Sequence, residues 1–309
     1  MILCCGEALI DMLPRQTASG GQAFAPHVGG AVFNTAVALG RLGVPTGFFS
    51  GISTDMFGIM LKRALHDAGV DLSLVRFSHR PTTLAFVGLE GGDASYLFYD
   101  ENSAGRMIEP SDLPPVPAAV TAMHFSCISL VAEPCGSSYE ALAAREASRR
   151  VVMLDPNLRP GFIADRVRHE ARLRRMIALA DIVKLSEEDL AWFGEEGSLD
   201  DIAMRWLSAG PKLIVVTRGS RGATGWCAAG SASVAAHRVE MVDTVGAGDT
   251  FNAGLLAYLE GEGVLQKDSL AALSCDQLAA ALGFAARAAA VTVSRPGADP
   301  PWRHEVEST

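Results

Sequence analysis

The strongest constraint on the fold is an alternation of short apolar runs with helical patterns along most of the chain. The apolar runs have the length of strands that are buried on both faces. They lie at residues 2–5, 47–50, 123–125, 151–154, 182–184 and 213–217. The apolar spacing between and after them predicts helices at 31–42, 56–68, 138–149, 167–179, 199–209 and 278–290. This alternation predicts an α/β fold with a mostly parallel central sheet and helices on both faces.

Composition limits the classes of protein to which the chain can belong. Of its 309 residues, 49% are hydrophobic and 20% charged, which suits a globular chain with a large core. Because no composition break marks a linker and no repeat occurs, we expect one domain over residues 1–309. The net charge of −9 argues against binding to nucleic acid or to an anionic membrane.

The start of the chain and its cysteines indicate a cytoplasmic protein. The first residues are apolar but lack a basic leader and include Glu7 and Asp11, which favours a core strand over a signal peptide. No uncharged apolar run reaches the roughly 18 residues that a membrane-spanning helix needs. The six cysteines form no C-x-x-C pair, so we expect reduced thiols.

Two segments interrupt the alternation of strands and helices. Residues 83–89 and 94–99 are rich in β-forming side chains and are joined by Glu90-Gly91-Gly92-Asp93, which predicts a hairpin. Residues 12–28 are polar and carry little helical signal. We expect the segments at about 12–28 and 82–104 to form a small β-sheet lid, which would exclude water from a reactive site. Two separate surface excursions are the alternative.

The most specific motif is the stretch Asp243-Thr244-Val245-Gly246-Ala247-Gly248-Asp249-Thr250-Phe251. Apolar residues at Phe251, Leu255 and Leu259 predict a helix that begins near Asp249. A glycine-rich turn before a helix leaves free amides and the positive end of the helix dipole directed at one point, which favours an anion. Asp249 would stand beside that anion as a proton acceptor for an alcohol. An ordinary loop with a helix-capping acid is the alternative.

Polar residues at two places in the first third of the chain are suited to a sugar. Gly29 and Gly30 precede a helix and let a ligand approach the backbone, and Asn34 offers both a donor and an acceptor. Asp11, which we place at the end of the first strand, could accept hydrogen bonds from two adjacent hydroxyls. Taken alone, these residues fit an ordinary turn and a strand-end acid equally well.

Two further strand ends are suited to phosphate or nucleotide. Arg159, in Asp155-Pro156-Asn157-Leu158-Arg159, offers a planar fork to phosphate oxygens. Thr217 and Gly219 open a glycine-rich turn that also contains Gly222. A surface Asp–Arg pair and a plain turn are the alternatives.

The order and wording of these motifs resemble the ribokinase-like (phosphofructokinase-B type) sugar kinases. Gly29-Gly30-x-x-x-Asn34 and Asp243-Thr-Val-Gly-Ala-Gly-Asp249 are similar to the two signatures of that family. The resemblance runs from Gly6-Glu7-Ala8-Leu9-Ile10-Asp11 through Asp155-x-Asn157-x-Arg159 to Ser294-Arg295-Pro296-Gly297-Ala298. Residues 81–87, Phe98-Tyr99 and Ser103-Ala104 look most like the fructokinases. The resemblance implies a ribokinase-like three-layer sandwich and ATP-dependent phosphorylation of the primary hydroxyl of a sugar.

The resemblance implies that Asp249 is the catalytic base and that Gly246, Ala247 and Gly248 form the anion hole for the transferring phosphoryl group. An ordinary carboxylate, with a pKa near 4, is a poor base for a neutral alcohol. Because phosphoryl transfer is largely dissociative, the proton can leave late and the acid mainly positions the nucleophile. Most of the rate would then come from placement and from charge stabilisation by the amides and Mg²⁺.

The remaining matches concern ligands. They assign Asp11, Gly29, Gly30, Asn34 and Phe98 to the sugar, Arg159 to phosphate, and Ser186, Thr217, Gly219, Gly222 and Gly248 to the nucleotide. Asp243 and the Val245 carbonyl match positions that hold a monovalent cation in many members. ATP, Mg²⁺ and K⁺ are therefore the expected cofactors.

Three departures from the family pattern affect these expectations. The family's N-x-x-E motif aligns with Ser186-Glu187-Glu188-Asp189, which makes contact of Asp189 with Mg²⁺ through water an open question. Ala286 stands where relatives often carry asparagine or histidine near the adenine. Asp100 stands where many fructokinases and the keto-deoxygluconate kinases carry an arginine, which in the latter would meet the substrate carboxylate. An acid there would repel a carboxylated or phosphorylated sugar, so we expect a neutral sugar, with D-fructose the leading candidate.

Other functions stay open at this point. A keto-deoxygluconate kinase or a nucleoside kinase of the same fold is the nearest alternative, and the lid aromatics Phe86, Tyr96, Phe98 and Tyr99 could form a slot for a base. A sugar- or nucleotide-sensing protein would not require Asp249. A dinucleotide-dependent dehydrogenase lacks its G-x-G-x-x-G turn after the first strand. Exposed strand edges in the lid predict a homodimer that pairs through the lid.

Overall fold

The chain folds into a large sheet between two helical layers, with a smaller sheet beside it. The computed structural model describes residues 1–90 and 93–308, and of residues 89, 90 and 93–96 only the backbone. Its strands are β1 (Ile2–Cys5), β2 (Leu9–Gln16), β3 (Gln22–Gly29), β4 (Thr46–Phe49), β5 (Gly51–Ser53), β6 (Arg76–Ser78), β7 (Thr83–Glu90), β8 (Asp93–Tyr99), β9 (Ala122–Ser126), β10 (Val151–Asp155), β11 (Ile182–Ser186), β12 (Leu213–Thr217), β13 (Ala223–Cys227) and β14 (Gly230–Val234). Its α-helices are α1 (Ala31–Arg41), α2 (Met56–Asp67), α3 (Cys135–Glu146), α4 (Arg166–Leu179), α5 (Glu187–Trp192), α6 (Leu199–Ser208), α7 (Ala247–Gly261), α8 (Lys267–Ala271), α9 (Cys275–Val293) and α10 (Arg303–Glu307).

The large sheet has eight strands in the order β14-β13-β12-β11-β10-β9-β1-β4. The six strands from β12 to β4 run parallel, and β13 and β14 add an antiparallel edge. Those six parallel strands are the six apolar runs that the sequence predicts. The antiparallel edge was not predicted, since its glycine, alanine and serine residues carry little β signal.

Alternate residues of each parallel strand face opposite helical layers. Ile2 and Cys4 of β1 pack in the core that contains residues of α1, α7 and α9. Leu3 and Cys5 pack in the core that contains residues of α3, α4 and α6. The predicted three-layer arrangement is therefore confirmed.

The small sheet, hereafter the lid, has the strand order β3-β2-β7-β8. Strands β2 and β7 are parallel, and the other two pairs are antiparallel. The predicted hairpin is present as β7 and β8, although its turn residues Gly91 and Gly92 lie outside the described residues. The lid begins at Leu9, a few residues before the segment that the sequence suggested.

The predicted place of Asp11 at the end of the first strand is wrong. Strand β1 ends at Cys5, and Asp11 belongs to β2 of the lid. The chain leaves the large sheet after Gly6, whose amide donates to the Phe49 carbonyl at 3.2 Å. The Glu7 carboxylate then accepts from the amides of Val32 and Ser129, at 3.3 and 3.4 Å, which holds the turn into the lid.

Helices α3, α7 and α9 differ from the prediction by two or more residues at an end, and none of the described helices is suited to a membrane. Helix α7 begins at Ala247, two residues before the predicted start, and α9 extends beyond 278–290 at both ends. The short helices α5, α8 and α10 were not predicted, because a few residues carry no clear period. In the described chain, no helix is both long and apolar enough to cross a bilayer.

Candidate active site

Asp249 lies in the first turn of α7 and is almost fully buried. Gly246 caps this helix with a left-handed backbone (φ 75°), a conformation that glycine adopts without strain. The Asp249 Oδ2 atom accepts a hydrogen bond from Asn34 Nδ2 at 2.9 Å, and the Oδ1 atom accepts a long one from Asn157 Nδ2 at 3.5 Å. Side chains from α1 and from the loop after β10 therefore orient the carboxylate.

The start of α7 also presents free backbone donors. The Ala247 amide donates to the Thr244 carbonyl at 3.3 Å. The amides of Gly248 and Asp249 have no acceptor among the described residues. These two amides lie at the positive end of the helix dipole, so this turn is suited to an anion.

Burial changes the acid–base character that the sequence suggested for Asp249. Desolvation raises the pKa of Asp249 to about 7, and the nearby Asp155 carboxylate acts in the same direction. The hydrogen bond from Asn34 and the charges of Lys184 and Arg159 oppose that rise. A carboxylate poised near neutral pH is a better general base than the ordinary acid assumed from sequence.

A cavity of about 270 Å³ opens beside Asp249 and contains most of the predicted sugar contacts. Lid residues, the start of α1, the ends of β9 and β10, and the start of α7 all contribute to its wall. The lining residues are Glu7, Leu9, Asp11, Gly30, Ala31, Asn34, Phe98, Cys127, Ile128, Asn157, Arg159, Thr244, Val245, Gly246, Gly248 and Asp249. The structure thus brings together Asp11, Gly30, Asn34, Phe98, Arg159 and Asp249, which are far apart in sequence.

Gly29 is absent from the cavity wall but makes room for Asp11. A Cβ atom at Gly29 would overlap the Asp11 Oδ2 atom, so only glycine lets this carboxylate lie against the β3 backbone. Burial raises the pKa of Asp11 to about 6, and the Arg159 guanidinium opposes that rise. Gly29 therefore acts on the site through the placement of Asp11.

The loop after β10 carries Asn157 and Arg159 into the cavity. Asn157 has a left-handed backbone (φ 40°), which is uncommon for a residue with a side chain. The Arg159 Nη1 atom donates to the Asn157 Oδ1 atom at 2.8 Å and to the Leu158 carbonyl at 2.9 Å. The two polar side chains are therefore fixed to one another before any ligand binds.

Comparison with known proteins identifies the family of this arrangement. Residues 1–305 match the model of the pfkB family of carbohydrate kinases. The chain belongs to this family. It is 55% identical to a fructokinase from Rhizobium leguminosarum bv. trifolii over 273 residues. The aligned region covers 88% of this chain and 84% of that protein.

Solved structures of fructokinases have the same fold. A Xylella fastidiosa fructokinase with bound ATP superposes with a TM-score of 0.90 at 28% identity, over 99% of this chain and 97% of that chain. A Vibrio cholerae O395 fructokinase, solved in its fructose, ADP and calcium ion bound form, gives 0.81 at 28% identity, over 96% and 94% of the two chains. The resemblance to the ribokinase-like sugar kinases, and the sugar kinase class, are therefore confirmed.

The residues that this family resemblance assigns to the nucleotide lie at the ends of two neighbouring strands. Ser186 ends β11 and stands opposite Thr217 in β12. Gly219 lies in a short 3₁₀ helix, and Gly222 follows it with φ 87°, where a Cβ atom would overlap the Val234 carbonyl. Of the residues assigned to the nucleotide, only Gly248 also lines the cavity. We call the cavity the sugar half and the other residues assigned to the nucleotide the nucleotide half.

The residues that match the family's cation position form a braced loop. Asp243 Oδ1 accepts from the Val245 amide at 3.0 Å, and Oδ2 accepts from the Gly297 amide at 2.8 Å. This arrangement ties the loop before α7 to the Ser294–Ala298 motif. Across the described chain, no group of three or more His, Cys, Asp and Glu side chains is placed to hold a metal ion.

A buried polar cluster beneath α7 was missed by the sequence analysis. Asp155 Oδ2, fully buried at the end of β10, accepts from Lys184 Nζ at 3.0 Å and from Asn252 Nδ2 at 2.7 Å. These bonds join the sheet to the helix that carries Asp249. A lysine within an apolar strand was the signal that could have revealed it, because a buried ammonium requires a partner.

Two other contacts were also missed. Phe98 of the lid makes an edge-on contact with Phe162, at 4.9 Å between ring centres, which connects the lid to the body over the cavity. Cys127 lines the cavity with a left-handed backbone (φ 60°). No sequence pattern marks either contact, because both depend on tertiary placement.

The predicted role of Asp100 is wrong. Asp100 is buried but does not line the cavity, and its Oδ1 atom pairs with Arg106 Nη1 at 2.9 Å. A neutralised carboxylate outside the cavity does not repel an acidic sugar. Discrimination against such sugars must therefore come from other residues.

Proposed function

We propose that this chain transfers the γ-phosphoryl group of ATP to the primary hydroxyl of D-fructose, giving fructose 6-phosphate. The observation that supports this most is the cavity in which Asp249 and two free amides face Asp11 and Arg159. Such a cavity places an alcohol, a base and an anion site together. The 55% identity to a fructokinase supports fructose as the sugar.

In the proposed mechanism, side chains of the cavity hold the sugar, and backbone amides at the start of α7 bind the negatively charged phosphoryl group. Asp11 accepts hydrogen bonds from two sugar hydroxyls. Asp249 accepts the proton of the primary hydroxyl as its oxygen bonds to the γ-phosphorus and the bond to the bridging oxygen of ADP breaks. Negative charge on the transferring group is stabilised by the Gly248 and Asp249 amides and by Arg159.

The charge of the cavity favours a neutral sugar. Three acids line it, Glu7, Asp11 and Asp249, against the single guanidinium of Arg159. A carboxylated or phosphorylated substrate would add negative charge to a partly desolvated site that already holds an excess of it. The charge of the cavity wall, and not Asp100, is therefore the argument against a keto-deoxygluconate kinase.

We further propose that Mg²⁺ enters with ATP. It would be held mainly by phosphate oxygens and water, because in the described chain no group of three or more His, Cys, Asp and Glu side chains is placed to hold a metal ion. When bound, it neutralises charge on the β- and γ-phosphates. For K⁺ we propose the Val245 carbonyl as a ligand, because Asp243 beside it already binds two amides.

We propose that the lid also forms a homodimer interface. Phe98 faces the cavity, so Leu97 and Tyr99 on either side of it face outward, where each is 58% exposed. Phe86 makes edge-on contacts with Phe24 and Tyr99 on that face, at 5.0 and 5.5 Å. Exposed aromatic area and free strand edges both favour a second copy. A concentration-independent monomer peak in gel filtration would argue against this dimer, and Leu97→Glu should produce that peak if the proposal is right.

The six cysteines are all free and five of them are buried, which supports the proposal of a reducing, cytoplasmic setting.

A coupled assay of ADP release tests the proposed reaction. Neutral sugars, keto-deoxygluconate, fructose 6-phosphate and nucleosides are each supplied with ATP and Mg²⁺, with and without K⁺. The highest kcat/KM should belong to fructose, and phosphorus NMR should place the product's phosphate on carbon 6. A higher kcat/KM for keto-deoxygluconate or for a nucleoside would replace fructose by that substrate. The lid aromatics cannot decide this by themselves, since the side chain of Tyr96 lies outside the described residues.

A further inference from the structure

Asp189, at the start of α5, is bound on both of its carboxylate oxygens. The Oδ2 atom accepts from the Ser186 amide at 3.0 Å and from the Ser186 hydroxyl at 2.9 Å, and the Asp189 amide donates back to that hydroxyl. The Oδ1 atom accepts from the Leu158 amide at 2.7 Å. Asp189 is only 7% exposed, so its carboxylate interacts with these protein groups and hardly with solvent.

The contact with Leu158 reaches the loop that carries the substrate-facing side chains. Leu158 lies between Asn157, with its left-handed backbone, and Arg159. A residue in that conformation persists only where its surroundings hold it, and the bond from the next amide to Asp189 is one such restraint. Asn157 in turn contacts both Asp249 and Arg159.

We propose that Asp189 is a positioning residue that fixes Asn157 and Arg159 in the cavity. Because it does so from the helix that begins next to Ser186, it connects the nucleotide half of the site to the sugar half. This role rests on the proposed sugar kinase function. It differs from the contact with Mg²⁺ through water that the family motif suggested.

The length of the side chain allows both contacts. A capping box usually has glutamate or glutamine at its third helical position, where the longer chain reaches back to the cap. The shorter Asp189 uses one oxygen for the cap and directs the other to Leu158. A glutamate would be one methylene too long to keep both contacts without moving the loop.

The chain contains a matched control for the cap itself. Helix α6 begins with the same box, in which Asp201 Oδ2 accepts from the Ser198 amide at 3.2 Å and from its hydroxyl at 2.7 Å. Asp201 is exposed and makes no contact with the loop after β10. Asp201→Asn keeps the one oxygen that its cap uses and therefore measures the loss of charge alone, whereas Asp189→Asn removes the charge and one of two oxygens that are both in use.

The test compares the full-length parent with these two variants by amide hydrogen exchange and steady-state kinetics. In Asp189→Asn, only one oxygen remains to accept, so the Ser186 cap and the Leu158 amide compete for it and exchange of the Leu158 amide should accelerate. The kcat/KM for fructose should fall about tenfold or more, mostly through KM, as expected for the loss of a charge-assisted bond. Asp201→Asn should leave the exchange rate of the Leu158 amide and the kcat/KM for fructose within about twofold of the parent values. The Mg²⁺ concentration for half-maximal rate should be unchanged in both variants.

Two results would overturn the proposal. One is unchanged exchange at Leu158 in Asp189→Asn. The other is a loss of activity that excess Mg²⁺ restores, which would assign Asp189 to the metal. If Asp189→Asn does not fold, Asp189→Glu, which keeps the charge, should show the same faster exchange and raised KM. A parent that exchanges slowly at Leu158 but does not phosphorylate fructose would refute the proposed function and leave the contact intact.

Discussion

The two halves of the site are built in different ways. The sugar half uses side chains from elements far apart in sequence, with Asp11 in β2, Asn34 in α1, Arg159 after β10 and Asp249 in α7 around one cavity. The half that we propose for the nucleotide consists of backbone turns at the ends of β11 and β12, where Thr217 is partly exposed and Gly219 exposed.

This difference has a physical consequence for each half. In the sugar half, Asp249 and Arg159 are each hydrogen-bonded to an asparagine side chain, and Asp249 is desolvated, so its pKa and the positions of both groups are set before a ligand arrives. The nucleotide half offers close approach to backbone atoms, with Arg218 and Arg221 in the same turn. Selection among sugars should therefore depend on the first half, and binding of ATP should depend on the backbone turns of the second.

Removal of the base should produce the largest effect. Asp249→Ala should lower kcat about a thousandfold, the range expected for loss of a general base. Binding of ATP, measured by calorimetry, should stay within a few-fold of the parent, since the turns of the nucleotide half are untouched. Turnover within a few-fold of the parent would show that Asp249 is not the base. It would also contradict the claim that the chemistry depends on the sugar half.

Asp11→Asn should act on the sugar alone. An amide retains the shape but loses the charge that strengthens hydrogen bonds from hydroxyls, so KM for fructose should rise about ten- to a hundredfold. The KM for ATP should change by less than about twofold. An equal rise in both constants would show that the halves are coupled through Asp11.

A pair of glycines tests the nucleotide half. Gly222→Ala would place a Cβ atom against the Val234 carbonyl at a φ of 87°, so KM for ATP should rise about tenfold and the melting temperature should fall. Gly219→Ala, at φ 54° with open space around it, should change KM for ATP by no more than about threefold. Similar effects of the two substitutions would mean that Gly222 is not a structural requirement of this half.

Asp249→Asn should also reveal what the buried charge costs in stability. The folded-state pKa of Asp249 lies above its ordinary value, so the parent loses free energy of unfolding as pH rises from about 4 to about 7. Thermal unfolding should therefore show the variant more stable than the parent at pH 8 and little different at pH 4. The opposite order at pH 8 would indicate that the carboxylate is stabilised rather than penalised by its surroundings.

Much of the large sheet could be predicted from the sequence. Buried parallel strands are continuous apolar runs, and the six predicted runs match β1, β4, β9, β10, β11 and β12 within two residues at either end. Strands of the lid were less clear, because half of their residues face solvent and Asp11 interrupts the pattern. Asp11 was wrongly placed at the end of the first strand because the chain turns at Gly6, where no proline or long loop marks the end of that strand.

The site could be predicted in part, for a different physical reason. Glycine-rich turns and the acid of α7 follow local rules of helix ends, so Gly246, Gly248 and Asp249 were identified from sequence. The raised pKa of Asp249, the pairing of Asp100 with Arg106 and the bond from Leu158 to Asp189 depend on neighbours that only folding brings close. Burial and partner choice are properties of the tertiary structure, and no local pattern encodes them.

The pH dependence of kcat/KM for fructose, at an ATP concentration well below its KM, tests the central claim most directly. Under this condition the profile reports groups of the free enzyme. Because Asp249 must be deprotonated to accept the proton, and because burial raises its pKa to about 7, activity should be full above that pH and fall with one proton below it. A profile that stays flat down to about pH 5 would contradict a buried carboxylate base in the sugar half.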